Sequence, residues 1–239
     1  MSTQQNYLIR DIIFPPRCPF CEKIVAKTGR SCEACKEKLP YLYEPRCRKC
    51  SKPIFQAESE YCYDCEHKIF SYHSGKAVWK YEKEVAASIS RFKFHDKQEY
   101  ASFYAHEMVR LYGDWIRMNS IEAFLPVPIH KAKKRKRGYN QALLLAKSMG
   151  EEMNIPVLTD GITRVKNTKP QKELNDRERK KNLKAAFLEN EEVLNGFRKV
   201  ALIDDIYTTG ATIEACTKVL LNTQITEVYF LCVSIGTSM

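Results

Sequence analysis

Residues 200–212 read VALIDDIYTTGAT, and this stretch decides the fold. Val200, Ala201, Leu202 and Ile203 form a short apolar run of the length of a buried strand. Asp204 and Asp205 follow it, then a Thr-rich turn containing Gly210, and a helix is predicted from about Ala211. In a parallel sheet such a turn lies at the carboxyl end of a strand and the amino end of a helix, where α/β proteins bind ligands. Backbone N–H groups and the positive end of the helix suit a phosphate there. Two carboxylates can accept hydrogen bonds from a pair of vicinal hydroxyls. A ribose 5-phosphate carries both features.

Moving outward, the pattern alternates between strand and helix. AVWKY (77–81) is a predicted strand, and EKEVAASISRFKF places Val85, Ile89 and Phe92 at helical spacing. A second helix is expected from about Lys97 to Met118, with Tyr100, Phe103, Tyr104, Met108, Leu111 and Trp115 as core residues. IEAFLPVPI (121–129) reads as a strand and EVYFLCVSI as the last one. Between 129 and 140 runs KAKKRKR (131–137), six cations in seven positions, taken as a basic loop with Gly138 at its turn. That run suits a pyrophosphate or nucleic-acid contact, and equally a solvated surface loop. A helix is expected from about Asn140. Residues 166–176 are polar, carry one proline and lack apolar periodicity, which reads as a long flexible loop beside the phosphate turn. From Ala77 onward the alternation points to a parallel sheet with helices on both faces.

The chain has 239 residues and 44% hydrophobic content, enough for a packed α/β domain plus something small. Net charge is +10, with 39 Lys and Arg against 29 Asp and Glu, which favours polyanionic partners without proving them. No apolar run has the length of a membrane span, and the start lacks a signal-peptide pattern, so a cytoplasmic protein is expected.

Eight of ten cysteines form four Cys-x-x-Cys pairs: Cys18/Cys21, Cys32/Cys35, Cys47/Cys50 and Cys62/Cys65. In a reducing compartment these read as two structural zinc sites of four thiolates each. Gaps of 10, 11 and 11 residues between pairs do not decide between sequential and crossed sites. Sequential closure is preferred because it closes short local loops. His67, close behind Cys65, reads as a surface histidine before a ligand. Zinc knuckles often have glycine after the second cysteine. Here Glu22, Lys36, Ser51 and Glu66 stand there, and a different backbone geometry is expected. Cys216 and Cys232 read as small buried apolar residues. Residues 1–17 suggest a short amphipathic helix stopped by Pro15 and Pro16.

VALIDDIYTTGAT resembles the phosphoribosyl pyrophosphate (PRPP) signature of type I phosphoribosyltransferases. FPPRCPFC (14–21), the four cysteine pairs, RFKF (91–94), PVPIHK with RGYNQA (126–142) and TKPQKELNDRERKKNLKAAF (168–187) extend the resemblance to the ComF family. It implies a type I phosphoribosyltransferase fold (77–239) behind a double zinc ribbon (18–68), with the helix of 1–17 in front. By position, Asp204 and Asp205 hold the ribose hydroxyls, directly or through Mg²⁺, and Thr208, Thr209, Gly210, Ala211 and Thr212 cradle the 5-phosphate. The loop with Ile129, His130 and Lys131 faces pyrophosphate. Residues 164–182, with Gln171, Arg177, Arg179 and Asn182, form the catalytic loop. Catalytic roles fall to Asp204, Asp205, Lys131, Arg177 and Arg179. Tyr207 departs from the signature, which usually has an aliphatic residue there. The acceptor-selecting part falls in segments of 77–118 and near 164.

The resemblance implies pentosyl transfer from PRPP with Mg²⁺, a nitrogen nucleophile displacing pyrophosphate from C1, in a protein of DNA uptake and natural competence. A second reading stays open: a non-catalytic accessory factor that binds single-stranded DNA or docks a partner such as a competence helicase through its zinc ribbons.

Overall fold

In the computed structural model the described residues are 15–25, 31–56, 58–165 and 186–236. The expected helix of 1–17 therefore lies largely outside them. So do Gln171, Arg177, Arg179 and Asn182 of the expected catalytic loop. The architecture is α/β, a parallel sheet flanked by helices.

Four parallel strands carry it: β1 (Gly75–Lys80), β2 (Ala123–Pro126), β5 (Lys199–Tyr207) and β6 (Glu227–Ile235), in the order β1-β6-β5-β2. β5 and β6 form near-continuous apolar runs because both of their faces are covered. On one face lie α3 (Lys83–Phe94), α4 (Tyr100–Met118) and α6 (Gln141–Met153), packed on Ala201, Ile203, Tyr229, Leu231 and Val233. Val85, Ile89 and Phe92 of α3 are fully buried, as their spacing predicts. Leu111 stays exposed, so the apolar stripe of α4 is narrower than expected. On the other face lie α8 (Ala211–Leu220) and a small antiparallel pair, β3 (Ile162–Arg164) with β4 (Phe187–Glu189), which α7 (Glu191–Leu194) follows. Cys216 and Cys232 are buried there. Among the described residues no helix is long and apolar enough to cross a membrane.

The eight ribbon cysteines gather into two sequential tetrads, Cys18/Cys21/Cys32/Cys35 and Cys47/Cys50/Cys62/Cys65, with all sulfurs of each within 4.8 Å of one another. Four thiolates about 2.3 Å from a tetrahedral zinc stand about 3.8 Å apart. The Cys21–Cys32 and Cys50–Cys62 sulfurs, at 3.6 and 3.5 Å, match that and are far beyond a disulfide bond. Two cysteine tetrads thus fit two zinc ribbons. His67 is not among the ligands. It stacks on Tyr63 and pairs with that residue's carbonyl.

The knuckles correct one expectation. After Cys21 and Cys50 the chain does adopt the left-handed turn that glycine usually supplies, with Glu22 at φ 59° and Ser51 at φ 71°. Hydrogen bonds from Glu22 N to Cys18 O and from Ser51 N to Cys47 O close these turns and hold the strained residues. The other two pairs differ. Cys32 and Cys62 are the N-caps of short helices, α1 (Glu33–Lys36) and α2 (Tyr63–His67), which contain Lys36 and Glu66.

The ribbons sit on opposite faces of the sheet. In the first, Cys18, Phe20 and Leu39 join the α3–α4 core, where Phe20 meets Trp79 and Phe103 edge-on, and Arg91 donates to the Pro19 and Phe20 carbonyls. In the second, Leu42, Cys47, Cys50 and Ile54 pack with Tyr72 and Phe230 on the other side. The segment between them runs along the outer edge of β1, where Lys80 N donates to Pro40 O and Leu42 N to Val78 O. The far edge, β2, is covered by residues 156–158 through bonds from Phe124 N to Pro156 O and from Leu158 N to Phe124 O. Neither edge is left open to pair with another chain.

Candidate functional site

The carboxyl ends of β2 and β5 lie side by side. Val127 N donates to Ile203 O, so the chain leaves β2 beside the two carboxylates. Asp204 and Asp205 are not beyond the strand, as their sequence position suggests, but within it, since β5 runs on to Tyr207. Strand alternation therefore turns them to opposite faces. Asp205, 6% exposed, meets Lys93 on the α3 side, with Lys93 Nζ 2.7 Å from Asp205 Oδ2. Asp204 lies on the α8 side within the electrostatic reach of Arg164 and Cys216, and its Oδ1 accepts from Asp205 N at 2.9 Å.

The turn after β5 bends at Gly210, φ 77°, the residue before α8. A side chain there would meet the Tyr207 hydroxyl at 2.4 Å. Thr208 and Thr209 are exposed, and Ala211 and Thr212 are half-buried in the first turn of the helix. That first turn has N–H groups with no partner inside the helix. Glu214, one turn along, accepts from Ser71 N and Ser71 Oγ and pairs with Lys218, fastening the connector that follows the second ribbon to α8. Tyr207 explains its departure from an aliphatic residue: its ring stacks on Phe230 and its hydroxyl shares a 2.8 Å hydrogen bond with Tyr72 beneath the second ribbon. Burial raises both phenols, which stay protonated.

The basic run is a helix, α5 (Lys131–Arg137), not a loop. Lys and Arg are good helix formers. The His130 side chain caps the start by accepting from Ala132 N, and Gly138 at φ 85° ends it. Lys131 is exposed at its first position. Lys133 is exposed, but partial desolvation first, then the charges of Arg164, Arg137 and Lys93, pull its ammonium below the usual range. RGYNQ (137–141) turns out to be a scaffold. The Tyr139 hydroxyl and, more weakly, the Gln141 amide donate to the Phe92 carbonyl, Asn140 caps α6 and donates to Val127 O, and Arg137 lies 5.0 Å over the Phe94 ring and bonds Gln141. The motif thus ties the β2 exit to the last turn of α3.

Comparisons with known proteins agree with this layout. Residues 9–66 match the double zinc ribbon domain family. The chain is 30% identical over 218 residues to Competence protein F of Haemophilus influenzae, spanning 89% of this chain and 93% of that one.

It belongs to the ComF family.

Competence protein ComFC of Bacillus subtilis is 26% identical over 200 residues, 80% of this chain and 77% of that one. DNA utilization protein YhgH of Escherichia coli is 26% identical over 178 residues, 73% and 77%.

Two residues of this ComF-family site were not singled out from the sequence. Lys93 stood inside the RFKF motif, but only the tertiary approach of α3 to β5 gives it a partner. Arg164, stacked over Phe187, stood at the expected loop's start without an assigned role. Burial lowers its guanidinium, and Cys216 and Asp204 oppose that.

In this ComF-family chain burial first, then the charge of Asp205, pushes the Asp204 carboxyl from 3.8 up to about 7, with Lys93 opposing. A raised carboxyl pKa means that the folded state holds a proton the unfolded state gives up. Stability is therefore full below about 3.8 and is lost as pH rises towards and through 7. Asp204→Asn keeps the acceptor for Asp205 N but never ionises. It is expected to stabilise the protein at pH 8 by about 1–2 kcal/mol, a discounted share of the full shift because Asp204 keeps an open edge to solvent. The gain narrows as pH falls towards about 5.5. Thermal melts of both proteins across that range check it. An Asn variant that melts below its parent at pH 8 contradicts it.

Proposed function

We propose that this ComF-family chain is a phosphoribosyltransferase-type protein that binds PRPP at the turn between β5 and α8 and serves DNA uptake or utilisation. One observation carries the reading: a dicarboxylate runs straight into a left-handed Gly210 turn and a helix N-terminus, ringed by Lys93, Lys133 and Arg164. Asp204 and Asp205 accept from the ribose hydroxyls. Thr208, Thr209, Gly210, Ala211 and Thr212 cradle the 5-phosphate. His130, Lys131 and the neighbouring cations Lys133 and Arg164 take the pyrophosphate end. Transfer breaks the C1–O bond, pyrophosphate leaves with the electron pair, and a nitrogen acceptor forms the new bond. The cations stabilise the leaving charge. Magnesium supplies further neutralisation when bound. Among the described residues no third carboxylate, His or Cys joins the Asp pair in a ligand set, so Asp204 and Asp205 would be the residues that hold the ion, beside oxygens of the ligand itself. The names of the relatives, competence and DNA utilization proteins, support the cellular half of the reading.

Calorimetric titration of the zinc-loaded protein with PRPP and Mg²⁺ tests it. Asp205→Asn removes a charged acceptor and is expected to weaken binding about 10- to 100-fold. No PRPP binding by the parent, or full binding by the variant, refutes it.

A second reading rests on α5, where Lys131, Lys133, Lys134, Arg135 and Lys136 are exposed. These cations suit single-stranded DNA phosphates without reading sequence. Fluorescence anisotropy should then show an affinity that falls steeply with salt and is lost on charge reversal of the helix.

A further inference from the structure

We propose that Lys93 is the site's own cation, which holds Asp205 in place for the ribose and presents its remaining N–H donors to the pyrophosphate, so that binding of a phosphoribosyl diphosphate persists without a divalent ion. The proposal rests on the PRPP reading and specifies how that site meets charge.

Three observations carry it. First, the Lys93–Asp205 pair is short, 2.7 Å, and both side chains are nearly enclosed, 18% and 9% exposed. An enclosed ion pair is a weak source of stability, because desolvation consumes most of the attraction. It sits at the end of the strand that forms the candidate site, where a charge pair can be put to chemical use. Second, Lys93 is held from both sides. The preceding carbonyl, on Phe92, receives the Tyr139 hydroxyl and the Gln141 amide, and the following ring, Phe94, lies under Arg137. The RGYNQ motif thus fixes the backbone that aims Lys93. Third, the described residues build no metal cage here. Among the described residues the groups of three or more His, Cys, Asp or Glu close enough to hold an ion are the two cysteine tetrads. Positive charge arrives on side chains instead. Lys133 feels Arg164, Arg137 and Lys93 together, and Asp204 feels Lys93. An ammonium has three donors and no acceptor, so one can stay on Asp205 while two turn to ligand oxygens.

The experiment is PRPP titration of the full-length, zinc-loaded protein in magnesium-free buffer and again with saturating magnesium, without chelator. The parent is expected to lose less than about tenfold in affinity when magnesium is omitted. Lys93→Met is expected to lose about 100-fold without magnesium and to recover most of it when the ion is added. Lys93→Arg keeps the parent's behaviour, a rescue that a purely structural lysine would not require. Because Lys93→Met leaves Asp205 buried without its partner, the double variant Lys93→Met with Asp205→Asn serves as a folded control, with a melting temperature near the parent's and no magnesium-free binding. A parent that binds PRPP only with magnesium, or a Lys93→Met protein with the parent's magnesium dependence, overturns the proposal. A parent that binds PRPP under neither condition overturns the PRPP reading itself, and this proposal with it.

Discussion

A Cys50→Ser protein is expected to carry one zinc ion per chain where the parent carries two, and to melt about 10 °C or more below it. A serine hydroxyl does not replace a thiolate at a site whose four sulfurs stand within 4.8 Å of one another. Loss of the metal leaves three thiols crowded together and leaves the left-handed turn at Ser51 with its hydrogen bond from Ser51 N to Cys47 O but without the tetrad that also holds it. The effect reaches past the ribbon because Cys50 is fully buried and shares its core with Tyr72, Phe230 and Tyr207. Lys49 O also accepts from Gly75 N at the first residue of β1, so the knuckle is bonded directly to the sheet. Metal analysis by mass spectrometry and a thermal melt check both parts. Reducing agent should leave the parent's melt unchanged while a strong chelator lowers it, as expected of thiolate–zinc and not of disulfides. Two zinc ions retained in the variant would contradict the assignment.

Gly210→Ala is expected to cost about 2–4 kcal/mol of stability and at least about tenfold in PRPP affinity. Two costs add. At φ 77° an L-residue pays for the left-handed backbone, and the new Cβ lands 2.4 Å from the Tyr207 hydroxyl. That hydroxyl cannot easily retreat, because it is bonded to Tyr72 and its ring is stacked on Phe230. The turn must give instead, and the phosphate cradle with it. In a Tyr207→Phe background the 2.4 Å contact disappears and the nearest tyrosine atom left stands at 3.0 Å. The alanine then costs less than in the parent, a non-additivity that urea denaturation of the four proteins would measure. Strictly additive costs would mean that backbone strain alone is at work.

Much of the fold was legible because its signals are local. The apolar runs of β5 and β6 need no more than their own residues to mark buried strands, and Val85, Ile89 and Phe92 mark the covered face of α3 by spacing alone. The cysteine pairs likewise announce metal sites by their spacing. What misled was chemistry that overrides a local rule. KAKKRKR lacks the apolar stripe by which a helix is usually recognised, yet His130 and Gly138 supply a cap at each end and its residues favour the helix intrinsically. At the knuckles the tetrads and the turn hydrogen bonds hold Glu22 and Ser51 in a conformation that glycine would adopt more cheaply.

By itself, then, the sequence determined the alternation of strands and helices, the Asp-Asp and glycine turn at the end of β5, and the eight thiolates. Each depends on residues a few positions apart, where helical and strand periods and short-loop closure operate. Only the tertiary structure decided that the two ribbons grip opposite faces of the sheet, that Asp204 and Asp205 point to opposite sides, and that Lys93 comes down on Asp205. Those outcomes follow from how helices and ribbons pack on a parallel sheet. That packing joins residues far apart in the chain through burial and charge, which no local pattern encodes.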